Sequence, residues 1–206
     1  MFITFEGIEG SGKSTQRKRL MDWLATQGIP VVSTREPGGT PVGKTLRQLL
    51  LSNETQLASN RTELFLFAAD RCEHIKQVVA PALNRGDWVV CDRYIDSTYA
   101  YQCGGREHSE NDILDIIRLT KAIEPDVTFL LDLSPEEGLQ RAENRGNLDR
   151  FEKEAMAFHR RVRNSYLRRA AAFPKRMVVI PSDGLSADAI FKHILNEIEE
   201  RRQHHE

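Results

Sequence analysis

The chain has 206 residues, 40% of them hydrophobic and 29% charged, which suits one α/β domain and excludes disordered, collagen-like and coiled-coil readings. Its 29 Lys/Arg nearly balance 30 Asp/Glu, so the overall charge gives no reason to expect a nucleic-acid or membrane-surface protein. No run approaches the roughly 20 apolar residues of a membrane span, the first residues do not read as a secretory leader, and Cys72, Cys91 and Cys103 show no metal or disulfide spacing, so reduced thiols and a cytoplasmic location are expected.

Five short β-rich apolar runs punctuate the chain: Phe2–Glu6, Pro30–Thr34, Trp88–Asp92, Val127–Asp132 and Met177–Pro181. Their length and unbroken hydrophobicity fit parallel strands buried on both faces. The first runs straight into Gly7-Ile8-Glu9-Gly10-Ser11-Gly12-Lys13-Ser14-Thr15, which satisfies GxxxxGK[ST] between a strand and a helix. In such a loop the backbone N–H groups face phosphate oxygens, Lys13 brings a positive charge to the β and γ phosphates, and Ser14 is a Mg²⁺ ligand. A Rossmann fingerprint would need a third glycine where Thr15 stands. Leu20, Trp23 and Leu24 then share a helical face, ended by Gly28 and Pro30.

After the second run, Leu64 to Arg71 belongs to a long helical stretch. From its neighbours Leu64-Phe65-Leu66, Phe67 there reads more readily as core than as pocket, although Arg71, one turn on, faces the same way and favours the pocket. The third run ends in Asp92-Arg93, a carboxylate where a Walker-B aspartate would hold Mg²⁺ and an arginine able to reach an anionic substrate. Ser109 with Asp112 opens a helix carrying Ile113, Ile116 and Ile117. Ser134-Pro135-Glu136-Glu137 reads as a capping box, and Ser186 opens a last helix with Ile190, Ile194 and Ile198 on one face. From Arg141 to Arg176 there are 11 Lys/Arg against 4 Asp/Glu, which suggests either a polyanionic ligand nearby or a solvated helix face. Strands alternating with helices predict right-handed crossovers, a five-stranded parallel sheet with helices on both faces, and ligands at the carboxyl ends of the strands. No linker divides residues 1–206, so a single P-loop domain is expected. The six histidines, including His204-His205, show no ligand spacing and are given no chemistry.

A P-loop alone fits switch GTPases, motor ATPases, small-molecule kinases and nucleotide-regulated binding proteins. The guanine motif NKxD and the switch motif DxxG are both absent, and no second P-loop occurs. The remaining strings are Arg35-Glu36-Pro37-Gly38-Gly39-Thr40, Phe67-Ala68-Ala69-Asp70-Arg71, Asp92-Arg93-Tyr94, Ser97-Thr98-Tyr99-Ala100-Tyr101-Gln102, Pro125 to Asp132, and RAENRGNLDRFE from Arg141. In this order, with FEGIEGSGKST at the start, the chain resembles the thymidylate kinase (dTMP kinase) family from end to end.

That resemblance implies a nucleoside monophosphate kinase fold with a short lid at about residues 141–152. It further implies Mg²⁺-dependent transfer of the ATP γ-phosphoryl group to dTMP in dTTP biosynthesis, by a homodimer with no nucleic-acid or membrane partner. By the same resemblance Phe67 stacks on thymine, Arg71 bonds a thymine oxygen, and Ser97, Thr98 and Gln102 line the base pocket. Arg35 and Arg93 hold the acceptor phosphate, and Glu9 faces the deoxyribose 3′-hydroxyl. Gly7 to Thr15 and Arg141 bind ATP, Ser14 and Asp92 hold the metal, and Lys13, Arg93, Arg145 and Glu9 form the catalytic set. With Gly10 in the P-loop position where some members carry an arginine, the resemblance is to the lid-arginine type, Arg145 leading and Arg141 and Arg150 less favoured. Another monophosphate kinase or a deoxynucleoside kinase on the same core, and a nucleotide-binding regulatory protein, are the alternatives.

Overall fold

All five apolar runs form strands in the computed structural model, which describes residues 1–203; His204 and His205 lie outside the described residues. They are β1 (Phe2–Glu6), β2 (Val31–Arg35), β3 (Trp88–Asp92), β4 (Val127–Asp132) and β5 (Met177–Pro181). β2 begins and ends one residue later than the apolar run suggests. Pro30 has no N–H to donate, although its carbonyl accepts from Trp88 N at 2.8 Å, so the ladder proper starts at Val31.

The sheet is parallel throughout, in the order β2-β3-β1-β4-β5. Chain direction across the sheet therefore reverses at β1, and the P-loop leaves the carboxyl end of that strand, where such sheets hold ligands. Register brings further groups to this edge: Asp92 is level with Phe5 on one side and with Arg35 on the other.

Alternation along β1 decides what covers each face. Ile3 and Phe5 point to a core shared with Leu20 and Leu24 of α1 (Lys13–Thr26) and with Ile190, Ile194 and Ile198 of α9 (Ala187–Gln203). The periodicity read from the sequence thus accounts for both helices. Ser186 Oγ accepts from Ala189 N at 3.1 Å, and α1 stops where Gly28 takes φ 66°, a turn that favours glycine.

On the opposite face two clusters meet the sheet. One joins Phe2, Val89 and Cys91 to Ile75, Val79 and Ala82. These lie on the helical run α3 (Asn60–His74), a π-helical turn Ile75–Val79 and α4 (Ala80–Asn84), and α2 (Pro41–Leu51) precedes them. The other joins Leu130 and Met177 to Phe158, Val162, Tyr166 and Ala170 of α8 (Met156–Ala172). Between β3 and β4 stand α5 (Ile95–Thr98), a π-helical segment Tyr99–Gly105, and α6 (Glu110–Leu119), which Ser109 caps by accepting from Asp112 N at 3.1 Å. α7 (Pro135–Arg145) has Pro135 in its first turn, but Ser134 makes no side-chain cap bond to it. The capping-box expectation fails because Ser134 turns toward Asp183, 3.4 Å away, and Glu137 pairs with Arg141. A tertiary partner has displaced the local one.

Candidate functional site

A cleft of about 470 Å³ opens at the carboxyl edge of the sheet. The P-loop forms one wall. Lys13 folds back under its own loop and donates to Gly7 O at 2.9 Å, Ile8 O at 2.7 Å and Ser11 Oγ at 3.3 Å. Burial first, and Arg93 second, lower its pKa to about 8, against the attraction of Asp92, Glu9 and Glu6. Gly10 has φ 72°, and a Cβ there would stand 2.4 Å from the backbone oxygen of Gly138 and 3.1 Å from Arg141 Cβ. Backbone of α7 leaves no room for a side chain at position 10, so the loop cannot carry its own arginine in this packing.

At the end of β3, Arg93 adopts φ 67°, a left-handed conformation uncommon for a residue with a Cβ. Glu6 accepts from the next amide, Tyr94 N, at 2.7 Å and helps fix that turn. The Arg93 guanidinium donates to Glu9 Oε1 at 2.9 Å, Tyr166 Oη at 3.1 Å and Ser97 Oγ at 3.3 Å, and lies 4.8 Å from the Tyr101 ring centroid. Tyr101 Oη donates to the same Glu9 oxygen at 2.6 Å. Burial works against the Glu9 charge, but Arg93, Lys13 and the Tyr101 hydroxyl hold its carboxyl below the ordinary range. Its second oxygen, Oε2, is buried without a hydrogen-bond partner among the described residues. Burial and nearby Asp96 instead push Glu6 up to about 7, despite the hydroxyls of Ser97 and Tyr166 at 2.6 and 2.8 Å.

The far end of the cleft is built from α3 and the π-helical segment. Phe67 is half-buried and lines the cleft, while also touching the α8 core cluster. Arg71, one turn on, is held by Glu36 Oε2, to which its Nε and one terminal nitrogen donate at 3.0 and 2.8 Å. The latter also donates to Thr98 Oγ1 at 2.7 Å. The other terminal nitrogen is buried with no hydrogen-bond partner among the described residues, an unused donor beside the cavity. Gln102 completes this end, and its Nε2 donates to Glu63 Oε1 at 3.0 Å.

Of the three arginines considered for the lid, Arg145 alone belongs to the cavity wall. Arg141 and Arg145 stand on α7, and residues 146–155 form the connection to α8. Arg141 is occupied by Glu137 and by Gly10 O at 3.2 Å. Arg150 donates to Leu50 O at 2.9 Å and Glu63 Oε2 at 2.8 Å. Arg145 is ion-paired with Glu152. The later arginines are not a uniformly solvated face either: Arg160 reaches Glu136, but Arg161 donates to Gly104 and Gly105 carbonyls, Arg163 pairs with Asp132, and Arg169 with buried Asp96.

For a metal, the donors are few. Among the described residues no three His, Cys, Asp or Glu side chains cluster as a ligand set. Asp92 Oδ1 is nevertheless buried without a hydrogen-bond partner among the described residues, in the same cleft as the exposed Ser14. One carboxylate and one hydroxyl beside a phosphate site suit Mg²⁺, which keeps waters and takes substrate oxygens rather than an all-protein cage.

The cleft thus gathers Glu9 to Thr15, Arg35, Phe67, Arg71, Asp92, Arg93, Ser97, Thr98, Gln102 and Arg145; Gly7, Ile8 and Arg141 stand outside its wall. It also contains residues that the sequence did not single out. Arg47 of α2 donates to Pro37 O at 3.0 Å and lines the cleft together with Arg35 and Arg93. Phe151, on the α7–α8 connection, lies 6.1 Å from the Phe67 ring. Tyr101 bonds Glu9 directly. The one sequence signal for Arg47 was its place in α2, two turns after the Arg35 string, and that does not reveal which way it faces.

A family model for thymidylate kinase matches residues 5–193. The thymidylate kinase of Ruthia magnifica subsp. Calyptogena magnifica is 49% identical over 180 residues, covering 87% of this chain and 88% of that one. That of Bordetella petrii is 50% identical over 182 residues, covering 88% and 86%. Among solved structures, the crystal structure of thymidylate kinase from Ehrlichia chaffeensis superposes with a TM-score of 0.80 at 33% identity, over 97% of this chain and 98% of that chain.

Proposed function

The chain belongs to the thymidylate kinase family and phosphorylates dTMP to dTDP with ATP, and from that premise we propose how its own residues divide the work. The observation that carries the proposal is one cleft joining a P-loop to a pocket with an unused arginine donor, with Arg35, Arg47, Arg93 and Arg145 also along it. ATP phosphates occupy the loop, over Lys13. Thymine enters the far end against Phe67, its O4 taking the free Arg71 donor and its N3–H facing the Gln102 carbonyl. That donor and acceptor order suits thymine and uracil and opposes cytosine, whose amino group and ring nitrogen reverse it.

The acceptor phosphate lies among Arg35, Arg47 and Arg93, and the unpartnered Glu9 Oε2 accepts from the 3′-hydroxyl. That phosphate is already an anionic nucleophile, so these side chains align it and offset charge rather than remove a proton. Asp92 and Ser14 are the residues suited to hold Mg²⁺, which when bound supplies charge neutralisation to the donor phosphates. Glu6 keeps the Arg93 turn in place, and the Phe151 side of the lid excludes water. A homodimer and a cytoplasmic location, implied by the resemblance, belong to the same proposal. The extensive pairing of the basic segment with carboxylates favours lid and framework over a nucleic-acid surface.

Coupled ADP-release assays with ATP and each nucleoside monophosphate test the reading. dTMP should be preferred and dUMP weaker by about 10 to 200-fold, the discrimination one methyl group provides in an apolar pocket. Preference for AMP, CMP or unphosphorylated thymidine would overturn the acceptor assignment.

Two further outcomes are expected. Phe67→Ala should raise KM for dTMP about tenfold and leave KM for ATP within about twofold, because only the acceptor loses a stacking face; a lower Tm with both KM values unchanged would make Phe67 a core residue. The pH profile should report Lys13. A lysine with pKa lowered to about 8 loses its charge as pH rises through that value, so kcat/KM for ATP should fall above it. Bound phosphates restore the charge, and kcat should stay flat over the same range. A kcat/KM for ATP that is level to pH ~9.5 would place the Lys13 pKa near its unperturbed range.

A further inference from the structure

Glu63 takes no part in the proposed transfer and lies outside the cleft wall, yet it is 1% exposed in the first turn of α3 and accepts from three side chains. Oε1 takes Gln102 Nε2 at 3.0 Å, Oε2 takes Arg150 at 2.8 Å, and Arg106 Nε reaches both oxygens at 3.2 Å. Arg106 also pairs with Glu154, on the connection that carries Arg150. We propose that Glu63 is a positioning residue that couples the acceptor base pocket to the lid, a proposal resting on the dTMP-binding reading above.

The coupling has two arms. An ionised carboxylate only accepts, so it draws the Gln102 amide nitrogen toward itself and leaves the carbonyl oxygen to the cavity. Without that constraint the amide can turn over and present a donor to the base. The second arm reaches Arg150, whose other bond is to Leu50 O and whose guanidinium lies 4.6 Å from the ring of Phe151. Phe151 is in the cleft wall although Arg150 is not. One buried charge therefore fixes both the polar end of the base pocket and the lid ring that faces Phe67. Donors sharing a carboxylate in a dry site polarise it jointly, so losing one changes the hold on the others. Glu63 and Arg150 are 87 residues apart in sequence, and the π-helical segment brings Gln102 between them.

A double-mutant cycle tests this, with dTMP binding read by calorimetry in the absence of ATP and with Gln102→Leu and Arg150→Met made singly and together. Arg150→Met should weaken dTMP binding about tenfold, and by less than about twofold once Gln102→Leu is present, since coupled sites depart from additivity. In a Glu63→Gln background the Arg150→Met effect should likewise shrink below about twofold. If Glu63→Gln does not fold, the cycle in the native background decides by itself. Additive effects would overturn the proposal. So would an Arg150→Met enzyme that binds dTMP normally but loses about 10²-fold in kcat, because Arg150 would then act on the transferring phosphoryl group. If the unsubstituted chain did not bind dTMP, the acceptor reading itself would fall; binding with additive effects removes only the role of Glu63.

Discussion

Arg93→Met should lower kcat/KM for dTMP by about 10³-fold, with KM for ATP held within about twofold, in steady-state kinetics of the folded variant. Two separate losses give an effect of that size. The first is the guanidinium itself, fixed by Glu9, Ser97 and Tyr166 and set against the Tyr101 ring, so that it meets the acceptor phosphate already oriented. The second is what remains behind. Arg93 is the strongest influence holding the Glu9 carboxyl ionised against burial, and without it a half-compensated carboxylate faces an incoming anion. Arg93→Lys should recover only part, since a point charge cannot satisfy Glu9, Ser97 and a phosphate oxygen in one plane. A loss confined to KM for ATP would move Arg93 to the donor side.

The strands were legible because parallel strands covered on both faces leave unbroken apolar runs, and the P-loop because its backbone geometry demands particular residues at particular spacings. Helix faces were legible for the same reason in α1, α6 and α9, where isoleucine or leucine recurs every three or four residues. What failed was decided by distant partners. Ser134 looked like a cap until Asp183, 49 residues on, competed for it. Arg150 looked available until Leu50 and Glu63 took it from another part of the chain. Phe67 could be read as core or pocket from its own neighbours, and it proves to be both a cleft wall and a member of the α8 cluster. Arg47 and Phe151 were passed over because direction across the cleft is set by packing, which spacing alone does not encode.

The same distinction between occupied and available side chains decides which lid arginine carries the largest catalytic effect. Arg141 is held by Gly10 O and Glu137, and Arg150 by a backbone carbonyl and a buried carboxylate. Arg145 is 61% exposed, lines the cleft at the last turn of α7, and is followed by Gly146 at φ 112°, a backbone state that lets the chain turn sharply there. Its partner Glu152 is also engaged by Asp149 N at 3.0 Å, so the carboxylate keeps a donor when Arg145 leaves it. A cation that exchanges a carboxylate for the transferring phosphoryl group gains most where charge spreads over the equatorial oxygens, and little when dTMP merely binds. Arg145→Ala should therefore lower kcat by about 10²-fold or more while KM for dTMP changes only a few-fold. Arg145→Lys should restore part of the loss, lacking the fork that bridges two oxygens. Measured beside Arg141→Ala and Arg150→Met, a near-normal kcat for Arg145→Ala would move the catalytic charge to Arg141, Arg150 or another group, and a kcat loss confined to Arg141→Ala would name Arg141, whose contact with Gly10 O at 3.2 Å places it against the P-loop.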